Sequence, residues 1–170
     1  PSIAMHDIAK DQTHDSLLES GQLDAVALTA PPRAFLQGSP LVRRLFPDPR
    51  AVEAAYYRQT EIFPIMHLVV IRRAVYDKDP MLAARLVRGF EAAKQLAFEA
   101  YEEELAALPW VHLDLEYARQ ALGQDVCPYG VKKSLPTLEA ATLYAHEQGL
   151  TPRRFEVAEL FAEETLDLCA

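Results

Sequence analysis

The sequence predicts a helix-rich α/β chain, and three observations carry that expectation. Six or seven segments have helical periodicity with start and stop signals. Between them stand two short apolar runs of strand character, residues 23–29 (LDAVALT) and 65–72 (IMHLVVIR). Half of the 170 residues are hydrophobic and a quarter are charged, which is enough apolar surface for a core and excludes a disordered or fibrous chain. A mass of 19.0 kDa suits one ordinary domain or an incomplete piece of a larger one.

Residues 11–21 (DQTHDSLLESG) form a short helix closed by Gly21, with Leu17 and Leu18 on its apolar side. The run 23–29 is nearly unbroken and apolar, as a strand buried on both faces requires. Ala30-Pro31-Pro32 ends regular structure, because successive prolines stiffen the backbone and restrict the residue before them. A helical turn or two is expected over 39–46, punctuated by Pro47-Asp48-Pro49. Asp48 and Pro49 are a good N-cap and first-turn pair for a helix reaching about Tyr57.

The second buried strand, 65–72, has β-branched residues gathered at its end. Asp79-Pro80 opens the strongest helix, expected to run to about Ala107. Leu82, Leu86, Phe90, Leu96 and Leu105 supply its apolar side; Glu91, Lys94 and the acids from Glu99 to Glu104 supply a wet one. Pro109 stops it. A helix over 114–122 ends at Gly123, a loop follows over 124–133 (QDVCPYGVKK), a helix over 134–148 ends at Gly149, and a last short helix covers 157–161. Two buried strands cannot satisfy their own edges. A missing first half that supplies the remaining strands is the economical explanation, and an autonomous helical domain with a two-stranded insert is the other.

Seventeen Lys+Arg against 25 Asp+Glu give a net charge of -8, with a pI near 5.1. Such a surface repels phosphate backbones, so no nucleic-acid partner is expected. Cys127 and Cys169 have neither metal-ligand spacing nor a disulfide framework, and His6, His14, His112 and His146 lack partners at metal spacing, so no metal site is expected. The most apolar run, 62–71, is broken by Pro64 and His67, so no membrane span is expected either. The first residues carry Asp7, Lys10 and Asp11 without an apolar core and show no signal peptide, which suggests a cytoplasmic location. The chain begins with Pro1, so the start of the gene product is expected to be missing, and a periplasmic location follows if that start carries a leader.

His67, inside FPIMHLVV, has two readings: a core histidine satisfied by one hydrogen bond, or a proton donor or base aimed into a cleft from a rigid strand. Arg72 and Arg73 close the same strand, where alternation puts Arg73 on the face of His67. Arg33 follows the double proline, where open α/β sheets place ligand contacts, and a guanidinium there grips a carboxylate or simply faces solvent. Tyr129, in the tight-turn sequence CPYG, either reaches a ligand or packs between helices. No phosphate loop, nucleophile elbow or dinucleotide fingerprint is present.

The runs IFPIMHLVVIRRAVYDKDP, GSPLVRRLFPDPRAVEAAYYRQT, GQDVCPYGV and YAHEQGLTPRRFEVAELFAEETLD together resemble the 4,5-dihydroxyphthalate decarboxylase family. SLLESGQLDAVALTAPPRAF resembles the segment just upstream, so the likeness covers roughly residues 13–167. The chain departs from the family in carrying Cys127 where an aromatic residue often precedes PYG, and KKSLPT in place of an Asn-Arg pair.

The resemblance implies a two-lobed fold similar to the type II periplasmic solute-binding proteins, of which this chain is the second half. Residues 1–30 would then end the second lobe, 31–38 would cross between lobes, and 39–170 would form the C-terminal part of the first lobe with its packing helices. It also implies a carboxy-lyase without cofactor that releases carbon dioxide from a hydroxylated aromatic dicarboxylate. His67 would protonate the ring, Arg33 would hold a carboxylate with Arg72 and Arg73 as deputies, and Tyr129 would bond a ring hydroxyl. The competing class is a transporter's solute-binding protein that grips a small carboxylate or aromatic anion and does no chemistry. Apolar strand surface left open by a missing half is expected to be covered by another chain, giving a homo-oligomer.

Overall fold

The structure, a computed structural model, describes residue 4, residues 6–104 and residues 108–168. It divides into two compact units, Pro1–Pro49 and Arg50–Ala170. The expected helix end near Ala107, the apolar position Leu105 and the second cysteine, Cys169, lie outside the described residues, as do the side chains of Glu103 and Glu104.

In the first unit, α1 (His14–Glu19) starts with a reciprocal cap. Thr13 Oγ1 accepts the Ser16 N–H at 3.1 Å, and Ser16 Oγ accepts the Thr13 N–H at 3.0 Å. It ends as the sequence predicts, with Gly21 at φ 71°, a left-handed position that glycine adopts without steric cost. A second short helix, α2 (Arg33–Leu36), follows the double proline and buries Ala34. Its Arg33 N–H donates to Asp15 Oδ2 at 3.1 Å, which ties it to α1. The helical turns expected over 39–46 are absent: Gly38 at φ 74° has already terminated α2, and the prolines at 40 and 47 leave little room to restart.

The second unit opens with α3 (Pro49–Thr60), whose first residue is the proline the sequence nominates. Past its end Glu61 takes φ 55° and donates its N–H to the Tyr57 carbonyl at 2.7 Å. Residues 62–71 then run without helix. A four-residue helix, α4 (Arg73–Tyr76), precedes the long α5 (Met81–Glu104). Next come α6 (Val111–Leu122), stopped by Gly123 at φ 100°, and α7 (Leu135–Glu147), followed by Gly149 at φ 75°. The unit closes with α8 (Val157–Leu160) and a 3₁₀ turn (Glu163–Thr165).

A small core joins Val131, Leu138 and Val157, with Phe161 and Leu166 packed against it. Helix α7 meets α8, and α5 meets the 3₁₀ turn, where the Tyr76 hydroxyl donates to Glu164 Oε2 at 2.6 Å. Arg50 joins the start of α3 to α6 by an ion pair with Asp114 at 2.8 Å. Among the described residues no large side chain is fully buried.

Two corrections follow. The chain is helix-rich, but 23–29 and 65–72 are not strands, and no strand occurs among the described residues. A strand exists only when a neighbour takes up its N–H and C=O groups, and neither run has one alongside. The second run is laid open: Met66 is 71% exposed and Val70 90%. Its start is fixed, because the Phe63 N–H donates to the buried Thr137 Oγ1 at 2.9 Å and the Phe63 ring meets Tyr57 edge-on at 6.4 Å.

The second correction concerns α5. Its packed side takes in Ala83, Ala84, Val87, Glu91, Lys94 and Phe98, and the expected Leu82 and Leu86 are half-buried there, whereas Phe90 and Leu96 are exposed. Lys94 is thus buried rather than on the wet face. No helix among the described residues is long and apolar enough to cross a membrane.

Candidate functional site

Arg33 lies in the first unit as the opening residue of α2, with its side chain exposed. His67, Arg72, Arg73 and Tyr129 belong to the second. His67 sits midway along the open run 62–71 and is exposed, so it is not enclosed in a core. Arg72 caps α4 and Arg73 is the first residue of that helix, its guanidinium 5.7 Å from the Tyr76 ring centroid. The chain turns helical there, so the alternation that would align His67 with Arg73 stops short of them.

Tyr129 is the predicted site residue that the structure surrounds with other chemistry. Its neighbour is Lys94, whose ammonium stands 4.7 Å from the Tyr129 ring centroid. The Lys94 side chain is only 5% exposed. Its Nζ donates to both Asp125 carboxylate oxygens, at 3.1 and 2.9 Å, and to the Cys127 carbonyl at 3.1 Å. Glu91 Oε2, one turn back on α5, is 2.9 Å away as an ion pair, but its alignment leaves that oxygen without a hydrogen-bond partner. Asp125 Oδ1 in turn accepts the Cys127 N–H at 3.2 Å, and Lys133 stands 3.7 Å from Asp125 Oδ2.

The loop that carries Tyr129 is therefore pinned at three points by one lysine on the long helix. Burial draws the Lys94 pKa down, but the Glu91 and Asp125 carboxylates outweigh it and hold the group above the usual lysine value. Burial pushes Glu91 up, but the Gln95 amide and Lys94 outweigh that and leave it below the usual carboxylate range. A lysine held charged is no nucleophile; it is a fixed cation. Sequence reasoning misses this residue because a lysine on a helix beside acids reads as solvated, and its main partner is 31 residues away. The QD step just before CPYG is the signal that an acid stands ready for it.

At the far end of the unit, Arg153 grips Glu159 with two bonds of 2.8 and 2.7 Å, and the Glu156 N–H adds a third at 2.8 Å. Arg153 and that N–H hold the Glu159 carboxyl down to about 2. A recess of about 350 Å³ lies between α5 and α6, lined by Glu102, His112, Glu116 and Arg119 among others, and none of the predicted site residues borders it. Among the described residues no group of three or more His, Cys, Asp or Glu is gathered as a metal site would require.

No protein-family profile matches the chain. Over 168 residues, 97% of its length, it is 31% identical to a 4,5-dihydroxyphthalate decarboxylase from Comamonas testosteroni, and it spans 51% of that protein's length. The likeness carried by four separated segments of sequence thus runs along almost the whole chain, and what it resembles is about half of a 4,5-dihydroxyphthalate decarboxylase.

Proposed function

We propose that this chain is part of an enzyme that decarboxylates a hydroxylated aromatic dicarboxylate such as 4,5-dihydroxyphthalate, without net oxidation. The single observation that carries the reading is 31% identity along 97% of the chain to a protein of that name. Two further observations support it. The chain spans only about half of that relative, and its own structure has unpaired extended runs and no fully buried large side chain among the described residues. Both fit a polypeptide whose core is completed by another half.

The chemistry needs little machinery. The ring carbon that bears the carboxylate takes up a proton, the bond from that carbon to the carboxylate breaks, carbon dioxide leaves, and the bonding pair restores the aromatic ring. Ring hydroxyls feed electron density toward that carbon, so the protein must orient, protonate and exclude water. His67 delivers the proton and recovers one from solvent. Arg33 binds the second carboxylate through two parallel N–H bonds, with Arg72 or Arg73 in support. Tyr129 hydrogen-bonds a ring hydroxyl.

The test is carbon dioxide release by the full-length gene product, with affinity measured separately by calorimetry. His67→Gln is expected to lower turnover roughly a hundredfold to ten-thousandfold with little change in affinity. Arg33→Met is expected to weaken binding, since a charge-assisted pair lost from one side costs about 2–5 kcal/mol. Normal turnover in His67→Gln removes the histidine from the mechanism. Tight binding of hydroxylated phthalates by the wild type with no carbon dioxide released replaces the enzyme with a solute-binding protein.

A further inference from the structure

The geometry points to Lys94 as a positioning residue: it locks the loop from Asp125 to Gly130 so that Tyr129 stands as a preformed wall of the ligand site. The inference deepens the decarboxylase reading and rests on it. Lys94 is 5% exposed at its side chain, and its ammonium donates to Asp125 and the Cys127 carbonyl and forms an ion pair with Glu91 at 2.9 Å. Two of these partners belong to the loop itself, and the ammonium also lies against the Tyr129 ring.

Lys94 is paired with Asp125 and Glu91, and Lys133 stands 3.7 Å from Asp125, so the Lys94 ammonium is already engaged by groups of the protein. Its effect on a substrate must then pass through what it holds. Tyr129 is 40% exposed although one side of it carries a buried cation, so part of the ring remains open to a ligand. A loop of this kind, left to itself, samples many conformations, and each bond to a fixed cation on a long helix removes some of that freedom before the ligand arrives.

The experiment uses the full-length protein with 4,5-dihydroxyphthalate as the probe and combines two readouts. The first is amide hydrogen exchange over residues 124–131. The second is a double-mutant cycle on ligand affinity with Lys94→Met, Tyr129→Ala and both together. Lys94→Met should speed exchange in the loop at least about tenfold relative to α7, and weaken ligand binding by up to about a hundredfold, the scale of a displaced contact. In the Tyr129→Ala background the same change should weaken binding far less, because its route to the ligand is already cut. A purely structural lysine would give equal losses in both backgrounds.

If Lys94→Met fails to fold, Lys94→Met with Glu91→Gln and Asp125→Asn removes the stranded charges and takes its place in both readouts. Unchanged exchange in the loop, or additive losses in the cycle, overturns the inference while leaving the decarboxylase reading intact. A wild type that does not bind the dihydroxyphthalate overturns both.

Discussion

Replacing Lys94 by methionine keeps most of the apolar stem and removes the charge, which isolates the cost of stranding its partners. Losing one member of a buried pair typically costs about 3–5 kcal/mol, because the remaining charge is left without compensation. Here the side chains of Asp125 and Glu91 retain 28% and 19% of their exposure, so water recovers part of that energy. Lys133 also remains near Asp125. The Cys127 carbonyl and the Tyr129 ring face lose a donor and a cation. A net loss of about 2–3 kcal/mol is expected, and for a chain of this size each kcal/mol lowers Tm by roughly 2–4 °C.

Urea unfolding followed by circular dichroism measures it. The neutralised triple variant, with Glu91→Gln and Asp125→Asn added, should recover most of the loss, since buried pairs replaced together are often close to neutral. A loss below about 1 kcal/mol for Lys94→Met would mean that the cluster behaves as a solvated surface pair and that Lys94 is not a buried member of α5. A triple variant less stable than Lys94→Met alone would refute the charge reasoning specifically.

Glu61 occupies a left-handed backbone position at φ 55° after α3, where a side chain costs about 1–2 kcal/mol and glycine costs none. Glu61→Gly is expected to gain about 0.5–1 kcal/mol after the extra freedom of an unfolded glycine is subtracted; Glu61→Ala should gain nothing, and equal effects in the two would show that φ is not the cause. Glu159 has a folded pKa of about 2, below its unfolded value, so its contribution is complete above about pH 4.5 and fades as pH falls toward 2. Nuclear magnetic resonance titration of α8 should show this acid loosening, and Arg153→Gln should move it to higher pH; an unchanged midpoint would dismiss the Arg153 contact as its source.

The helices were legible because their signals are local. Gly21, Gly123 and Gly149 stop α1, α6 and α7 at left-handed positions, and Pro49 starts α3, all within a few residues of the helix they govern. The extended runs were misread for the opposite reason. Apolar pattern records a preference for burial, but whether a strand forms depends on a neighbour that the local sequence does not name. Residues 65–71 have the composition of a central strand and no ladder. The site divides in the same way: Tyr129 stood out from its turn sequence, whereas Lys94 was assigned to water because Asp125, its partner, is distant along the chain. His67 was noticed for its apolar neighbours, and those neighbours lie open with it.

The open run has a consequence for handling the protein. MHLVVI is six residues long, β-branched over its last three, free of proline and without Lys, Arg, Asp or Glu, the composition from which steric zippers are built. Pro64 guards one end and Arg72 with Arg73 the other, which is how natural sequences flank a hydrophobic segment they cannot dispense with. Between those gatekeepers the side chains of Met66, Leu68, Val69 and Val70 are more than half exposed. Expressed alone, the chain should thicken into fibrillar aggregate at rising concentration, and a single Val70→Lys change should slow thioflavin-positive growth; equal growth with and without that lysine would acquit the segment.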